Sequence, residues 1–236
     1  MDNSIINKDE DLQNKMPEIL VWTYNQAVAG VGGLGSVDDL AKEYLQSNND
    51  NKLEAINSLI RWQNAKAATG GFITNLGGIT TLPVSIPANL ISSIYIQLRM
   101  IAAIARISKH NSGISEHKLS DDQVRTLCIA CLAGNNTVEV LKQAGVTIAE
   151  KCTVAMIQKY VTRDIINKIN KAIGFRLITK AGKTGVINLT KAVPFVGGLV
   201  GATFDGITTN LIGNAARDFF LKEIYSDSNS TVIEIK

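Results

Sequence analysis

Two cysteines three residues apart are the side chains in this sequence that most readily suggest chemistry. Cys128 and Cys131 form a C-x-x-C pair, with His110 and His117 a short distance upstream. Such a pair is typical of a zinc site or a redox centre. An isolated pair supplies only two of the four ligands of a usual zinc site, and this one lies in the apolar run LCIACL. Because free cysteine is among the most buried residue types, we predict that both thiols lie in a helix core and bind no metal.

A glycine-rich run near the N-terminus is the second candidate for chemistry. The segment GVGGLG at residues 30–35 fits the dinucleotide fingerprint G-x-G-x-x-G, and Glu54 follows roughly 20 residues later. That fingerprint works between a strand and a helix, whereas the flanks here have helical patterns, so we predict a joint between two helices. The segment GKT at residues 182–184 resembles the end of a phosphate-binding loop, but Leu177 stands where that loop needs its first glycine.

Acid–base and nucleophilic catalysis find little support in the remaining polar residues. Adjacent carboxylates occur at 38–39 and 121–122, where predicted helix starts already explain them. The sequence has only two histidines, close together, and no serine in a nucleophile-elbow motif. The sequence therefore favours a protein that is not an enzyme, and it predicts no catalytic residues, no cofactor and no metal.

Helical periodicity runs through the chain and predicts an all-α fold, a single multi-helix bundle. Capping boxes mark two helix starts, Ser36 with Asp39 and Ser120 with Gln123. Pro17 is placed in the first turn of the first helix. The predicted helices span residues 17–29, 36–46, 52–68, 88–110 and 121–133, then 137–180 as one or two helices with joints at Gly145 or Gly174, and 195–223.

Two uncharged, glycine-rich stretches bounded by proline stand out from these helices. No charge falls between Lys66 and Arg99, and Pro83 and Pro87 interrupt that stretch. Glycine recurs there at a spacing of seven, and a second row with a spacing of four follows Pro194; such rows let helices pack closely. We predict two helical hairpins at the centre of the bundle, either buried or dipping into a membrane. The helix-packing glycines are Gly70, Gly71, Gly77, Gly78, Gly197, Gly198, Gly201 and Gly206.

Asp205 is the only charged residue between Lys191 and Arg217, and it shares a helix face with the second glycine row. If that face packs against another helix, its carboxylate is buried and needs a partner. We predict an ion pair with Arg99, the first charge after the long uncharged stretch. Arg99 falls on the more polar face of its own helix, so Arg176, Lys180 and threonine hydroxyls remain alternative partners.

Charge is distributed unevenly along the chain, although the net charge is only +3. Residues 1–60 are acidic, whereas residues 151–191 carry nine bases and one acid, Asp164. This excess predicts either a surface that meets an anionic partner or a merely solvated face. Few aromatic residues interleave the bases, so anionic lipid or a membrane protein is favoured over nucleic acid. The candidate surface residues are Lys159, Arg163, Lys168, Lys171, Arg176 and Lys180.

The domain organisation is expected to follow these features. We predict a disordered tail at 1–12, an N-terminal helical extension at 13–66, a helical domain at 67–224 and a polar tail at 225–236. The N-terminus lacks the basic start and apolar core of a signal peptide, and three cysteines without framework spacing fit a reducing compartment. The expected location is the cytoplasm, including the inner face of its membrane.

Several of these stretches together resemble one bacterial family, the EcsC proteins. The similarity is carried by ATGGFITNLGGITTLPVSIPANL followed by YIQLRMIAAIA, by GFRLITKAGKTGVINL and by KAVPFVGGLVGATFDGITTNLIGNAARDFF. It covers about residues 67–220, while the loop ARISKHNSGIS departs from the family pattern. The resemblance implies a helical, membrane-associated domain, in a family that takes its name from a gene beside an ABC transporter. It supplies no catalytic or cofactor residues.

Three functional hypotheses follow from the sequence. The first is a non-enzymatic protein at or shallowly inserted into a membrane, which contacts anionic lipid or a membrane protein. The second is a soluble helical adaptor or effector that buries both hairpins and binds a protein. The third and least favoured is a hydrolase whose site has no recognisable motif.

Overall fold

The protein folds as a bundle of packed α-helices, as predicted. The computed structural model describes residues 3–31, 34–68, 88–112, 119–146, 154–183 and 202–224, and within these ranges every regular element is helical. Both proposed hairpin turns, with Pro83, Pro87 and Pro194, and the polar tail at 225–236 lie outside the described residues.

Nine α-helices and two shorter segments make up the described part of the chain. The α-helices are α1 (Asn3–Ala29), α2 (Val37–Ser47), α3 (Lys52–Ala68), α4 (Ala88–Lys109), α5 (Asp121–Ala130), α6 (Thr137–Gln143), α7 (Val154–Tyr160), α8 (Arg163–Lys183) and α9 (Ala202–Arg217). A 3₁₀ segment, Cys131–Asn136, joins α5 to α6, and a π-helical segment, Asp218–Ile224, continues α9.

Both predicted capping boxes are confirmed. The Ser36 hydroxyl accepts the backbone N–H of Asp39 at 3.1 Å, and the Asp39 carboxylate accepts the N–H of Ser36 at the same distance. Ser120 and Gln123 make the equivalent reciprocal bonds at the start of α5. Each box satisfies backbone donors that a helix start otherwise leaves unbonded.

The first helix is longer than the sequence suggested, and the expectation of a loose tail over residues 3–12 is wrong. Helix α1 begins at Asn3 and carries Pro17 in its interior rather than in its first turn. Proline removes one backbone donor and disfavours the preceding turn, but packing can override that penalty. Met16, immediately before Pro17, is fully buried and packs against Gly174 of α8.

Of the two glycines proposed as joints, only one acts as a joint. Gly145 follows α6 with a φ of +103°, a conformation that favours glycine. Gly174 instead lies inside α8, where an added Cβ would come within 2.9 Å of the Met16 Cβ. Its missing side chain therefore allows α1 and α8 to approach closely rather than ending the helix.

Helix α4 is the centre of the bundle. It packs against α1, α2, α3 and α9, and nearly all its residues between Ile91 and Ser108 are buried. The segment Ile91–Lys109 is long and apolar enough to span a membrane, but 89% of its most apolar window is buried inside the protein. Within the described ranges, this is the one segment that meets those two criteria. Its burial fits a central core helix.

Helices α3 and α9 run antiparallel to each other. Gly213 of α9 lies against Ile60 of α3, and an added Cβ there would come within 2.9 Å of the Ile60 Cγ1. One turn further along α9, the Arg217 guanidinium donates to the Asn57 side chain at 2.9 Å. Residues later in α9 therefore contact residues earlier in α3. The C-terminal end of α3 lies beside the N-terminal end of α9.

Helix α4 is also antiparallel to α3. Its C-terminal His110 lies 4.0 Å from Asp50, just before α3 begins. Further along, Met100 of α4 and Ile60 of α3 both contact Gly213. The C-terminal end of α3 and the N-terminal ends of α4 and α9 therefore lie at one end of the bundle. The two uncharged sequence stretches begin or finish at that end.

Candidate functional site

The candidate site is the outer surface of α7 and α8, which follow each other after a two-residue joint. The backbone N–H of Val161 donates to the carbonyl of Ile157 at 2.9 Å, and the backbone N–H of Ile166 donates to the carbonyl of Thr162 at 2.9 Å. Val161 itself is buried in the core. This short, hydrogen-bonded joint keeps the end of α7 beside the start of α8.

Basic side chains dominate this surface. Asp164 is the only acid between residues 157 and 177, and it lies in the first turn of α8, where a carboxylate stabilises the helix. The bases of this stretch are all exposed: Lys159, Arg163, Lys168, Lys171 and Arg176. Lys180 also belongs to α8, but its side chain lies outside the described residues. We call these five exposed bases the basic surface.

One side of α8 packs against the core, so the opposite side of the helix faces solvent. Ile169 and Ile173 are buried, and Gly174 contacts α1. At about 100° per residue, Lys168, Lys171 and Phe175 fall within about 60° of each other on the opposite, solvent-facing side. Because α1 and α5 hold the inner face, these three side chains point away from the bundle.

Arg99 is buried rather than on a polar face, so that expectation is wrong. Its side chain is only 5% exposed. One guanidinium nitrogen donates to the carbonyl of Ala27 at 3.0 Å, and another donates to the carbonyl of Gly35 at 2.7 Å. Ala27 lies in the last turn of α1, where carbonyls lack partners within the helix and carry partial negative charge. Arg99 thus joins the end of α1 to the loop before α2.

The predicted pair of Arg99 with Asp205 stays a prediction. Asp205 belongs to α9, but its side chain lies outside the described residues. Burial lowers the pKa of the Arg99 guanidinium, while Tyr95 and then Asp39 act in the opposite direction. Two backbone carbonyls already hold the guanidinium, a partnership that the sequence analysis did not consider.

The glycine-rich run at 30–35 lies between two helices, which confirms the predicted joint. It connects α1 to α2, and no strand precedes it in the described part of the chain. Gly30 has a φ of +80°, and a Cβ there would clash with the Leu34 carbonyl oxygen. Glycine is required at this position for a tight turn, which accounts for one glycine of the run.

Both cysteines lie in the core, as predicted. Cys128 and Cys131 are fully buried and form no disulfide. Burial is the main cause that raises the pKa of Cys128 to about 12, so its reactive thiolate form is strongly disfavoured. Within the described ranges, no cluster of three or more potential ligands could hold a metal ion. His110 lies near Asp50, and His117 is outside those ranges.

The glycines proposed for helix packing are mostly outside the described residues; Gly206 belongs to α9. Two other glycines have the close contacts expected of such a role, Gly174 between α1 and α8 and Gly213 between α3, α4 and α9. Glycine is unfavourable inside a helix, so its presence there is the signal that could have identified both positions.

Comparisons with models of protein families, with curated proteins and with solved structures find no match to this chain. The resemblance to the EcsC family therefore stays a prediction that rests on the sequence stretches quoted above.

Proposed function

We propose that this chain is a non-enzymatic helical protein that binds the anionic surface of a membrane from the cytoplasmic side. The observation that carries the proposal is the basic surface of α7 and α8, where five exposed bases accompany a single acid. A lysine or arginine near an anionic membrane surface contributes about 1 kcal/mol. Lys168 and Lys171, which share the outer side of α8, would contribute about 2 kcal/mol, and about 5 kcal/mol is the upper limit if all five bases reach the headgroups. Either value allows reversible binding rather than permanent insertion.

The non-enzymatic part of the proposal is supported by the structural roles of the reactive residues. Cys128 has a raised pKa and lies in the core. Asp39 caps α2, and hydrogen bonds from Ser36 are the main cause of its lowered pKa. Arg99 holds backbone carbonyls. Each of these three side chains therefore has a role in the fold that accounts for its position without catalysis.

An adaptor that binds a protein is the second candidate, favoured by apolar side chains elsewhere. Trp62 on α3 is 55% exposed, and Leu211 on α9 is 52% exposed. Large exposed apolar side chains are enriched at protein interfaces. In this alternative, the basic surface of α8 is a solvated face and the partner contacts α3 and α9.

Vesicle flotation tests the leading proposal. We expect the protein to float with vesicles of phosphatidylcholine that contain phosphatidylglycerol, and to float less with phosphatidylcholine alone. Raising the salt concentration should release it, because exposed charges are screened beyond about 8–10 Å at physiological ionic strength. Equal recovery with both vesicle types, independent of salt, would contradict the proposal and favour the adaptor.

A further inference from the structure

An exposed aromatic ring lies within the basic surface. Phe175 is 55% exposed on the outer side of α8. Lys171 lies one turn before it, and Lys168 lies two turns before it on the same side. An apolar ring beside two lysines offers, at one point on the helix surface, the two contacts that interfacial helices make with a membrane: burial of apolar area and attraction to anionic lipid.

We propose that Phe175 inserts between the acyl chains of an anionic bilayer while Lys168 and Lys171 contact the headgroups. This inference rests on the proposed function. An anionic bilayer is the partner that matches these side chains, because it places negative headgroups directly above an apolar interior. The lysines can contact the headgroups while the ring lies in the apolar interior. Helices that lie in a membrane interface bury their apolar side chains about 5–10 Å into the boundary between headgroups and acyl chains. Lysine stems are long enough to leave their ammonium groups at the headgroup level.

The packing of α8 against the bundle already directs Phe175 toward solvent. Gly174, directly before Phe175, lies against Met16 of α1, so the helix backbone cannot rotate freely about its axis. Ile173 is buried on the same inner side. The phenyl ring is therefore held outward before any lipid is present, and insertion needs no unfolding of α8. The helix axis lies parallel to the bilayer surface in this arrangement.

Tryptophan fluorescence tests the depth of residue 175. The native chain has two tryptophans, which are replaced by phenylalanine in a Trp22→Phe/Trp62→Phe background. Phe175→Trp in that background should shift its emission to shorter wavelength on vesicles containing phosphatidylglycerol, and lipids brominated on the acyl chain should quench it. Leu211→Trp is the matched control, since Leu211 is 52% exposed but lies on α9. It should show neither change.

Affinity for the same vesicles provides a second test in the otherwise native chain. Phe175→Ala should weaken binding by about 5–10-fold, as expected for the loss of one partly buried aromatic ring, and Phe175→Leu should recover much of it. Leu211→Ala should leave the affinity within about twofold. Salt-dependent binding that Phe175→Ala does not weaken, with no quenching at residue 175, would overturn the insertion while the proposed function stands. Absence of binding by the native protein to anionic vesicles would overturn both.

Discussion

Arg99→Met is the substitution that most directly tests how the structure holds α1, α2 and α4 together. It keeps a long side chain in the core but removes two hydrogen bonds, at 3.0 Å to Ala27 and 2.7 Å to Gly35. A hydrogen bond from a charged group contributes about 1.5–3 kcal/mol, so two would give about 3–6 kcal/mol. Methionine avoids the cost of burying a charge, which reduces the expected net loss to about 2–4 kcal/mol.

Urea unfolding followed by far-ultraviolet circular dichroism measures this loss. In a thermal experiment, a domain of this size should melt roughly 4–16 °C lower. Arg106→Met is the matched control on the same helix. Arg106 pairs with Asp38 at 2.9 Å, but the two side chains are 33% and 67% exposed, and such surface pairs contribute only about 0.2–1 kcal/mol. Equal, small losses from both variants would refute the role of Arg99 as the link between the end of α1 and the following loop.

Further expectations concern Asp205, Gly213 and Cys128. Asp205→Ala should destabilise the protein by about 3–5 kcal/mol if its carboxylate has a buried partner. Asp218→Ala removes a half-exposed carboxylate that pairs with Arg217 and Lys222, so it should cost less than about 1 kcal/mol in the same urea experiment. Gly213→Ala should lower the melting temperature, because the new Cβ would come within 2.9–3.1 Å of side chains on α3 and α4, and overpacking costs about 1–3 kcal/mol. Gly35→Ala is the control: the nearest atom to its Cβ would be 3.5 Å away, so the melting temperature should not fall. The Cys128 thiol should resist a mild thiol reagent in the native protein, and rapid labelling would contradict its burial. Since its pKa rises from 9.0 to about 12 on folding, this thiol keeps more protons in the folded state, so its contribution to stability should fall as pH rises from 9 towards 12.

The helix starts were predictable because their signals are local. Ser36 with Asp39 and Ser120 with Gln123 satisfy backbone donors within four residues, so neighbouring sequence is sufficient to specify them. The bounds of α3 were predicted at both ends, and α4 ends one residue before its predicted limit. In long segments with a strong apolar periodicity, the sequence pattern alone is enough to predict a helix.

Features that depend on distant residues could not be predicted in the same way. Pro17 suggested a helix start, but packing of Met16 on α8 continues the helix before it. Arg99 reaches carbonyls 64 and 72 residues away in the chain, and no periodic pattern indicates that contact. The exposure of Phe175 depends on which side of α8 packs against α1, which also requires the tertiary structure.

Vesicle binding by a pair of charge variants tests the proposed function most directly. Lys168→Gln/Lys171→Gln removes two charges from the basic surface, and Lys42→Gln/Arg61→Gln removes two from exposed positions on α2 and α3. The account predicts that the first variant binds anionic vesicles roughly 30-fold more weakly, at about 1 kcal/mol per charge, while the second stays close to the native affinity. Equal weakening by both would contradict it, because attraction would then follow net charge rather than a defined surface on α8.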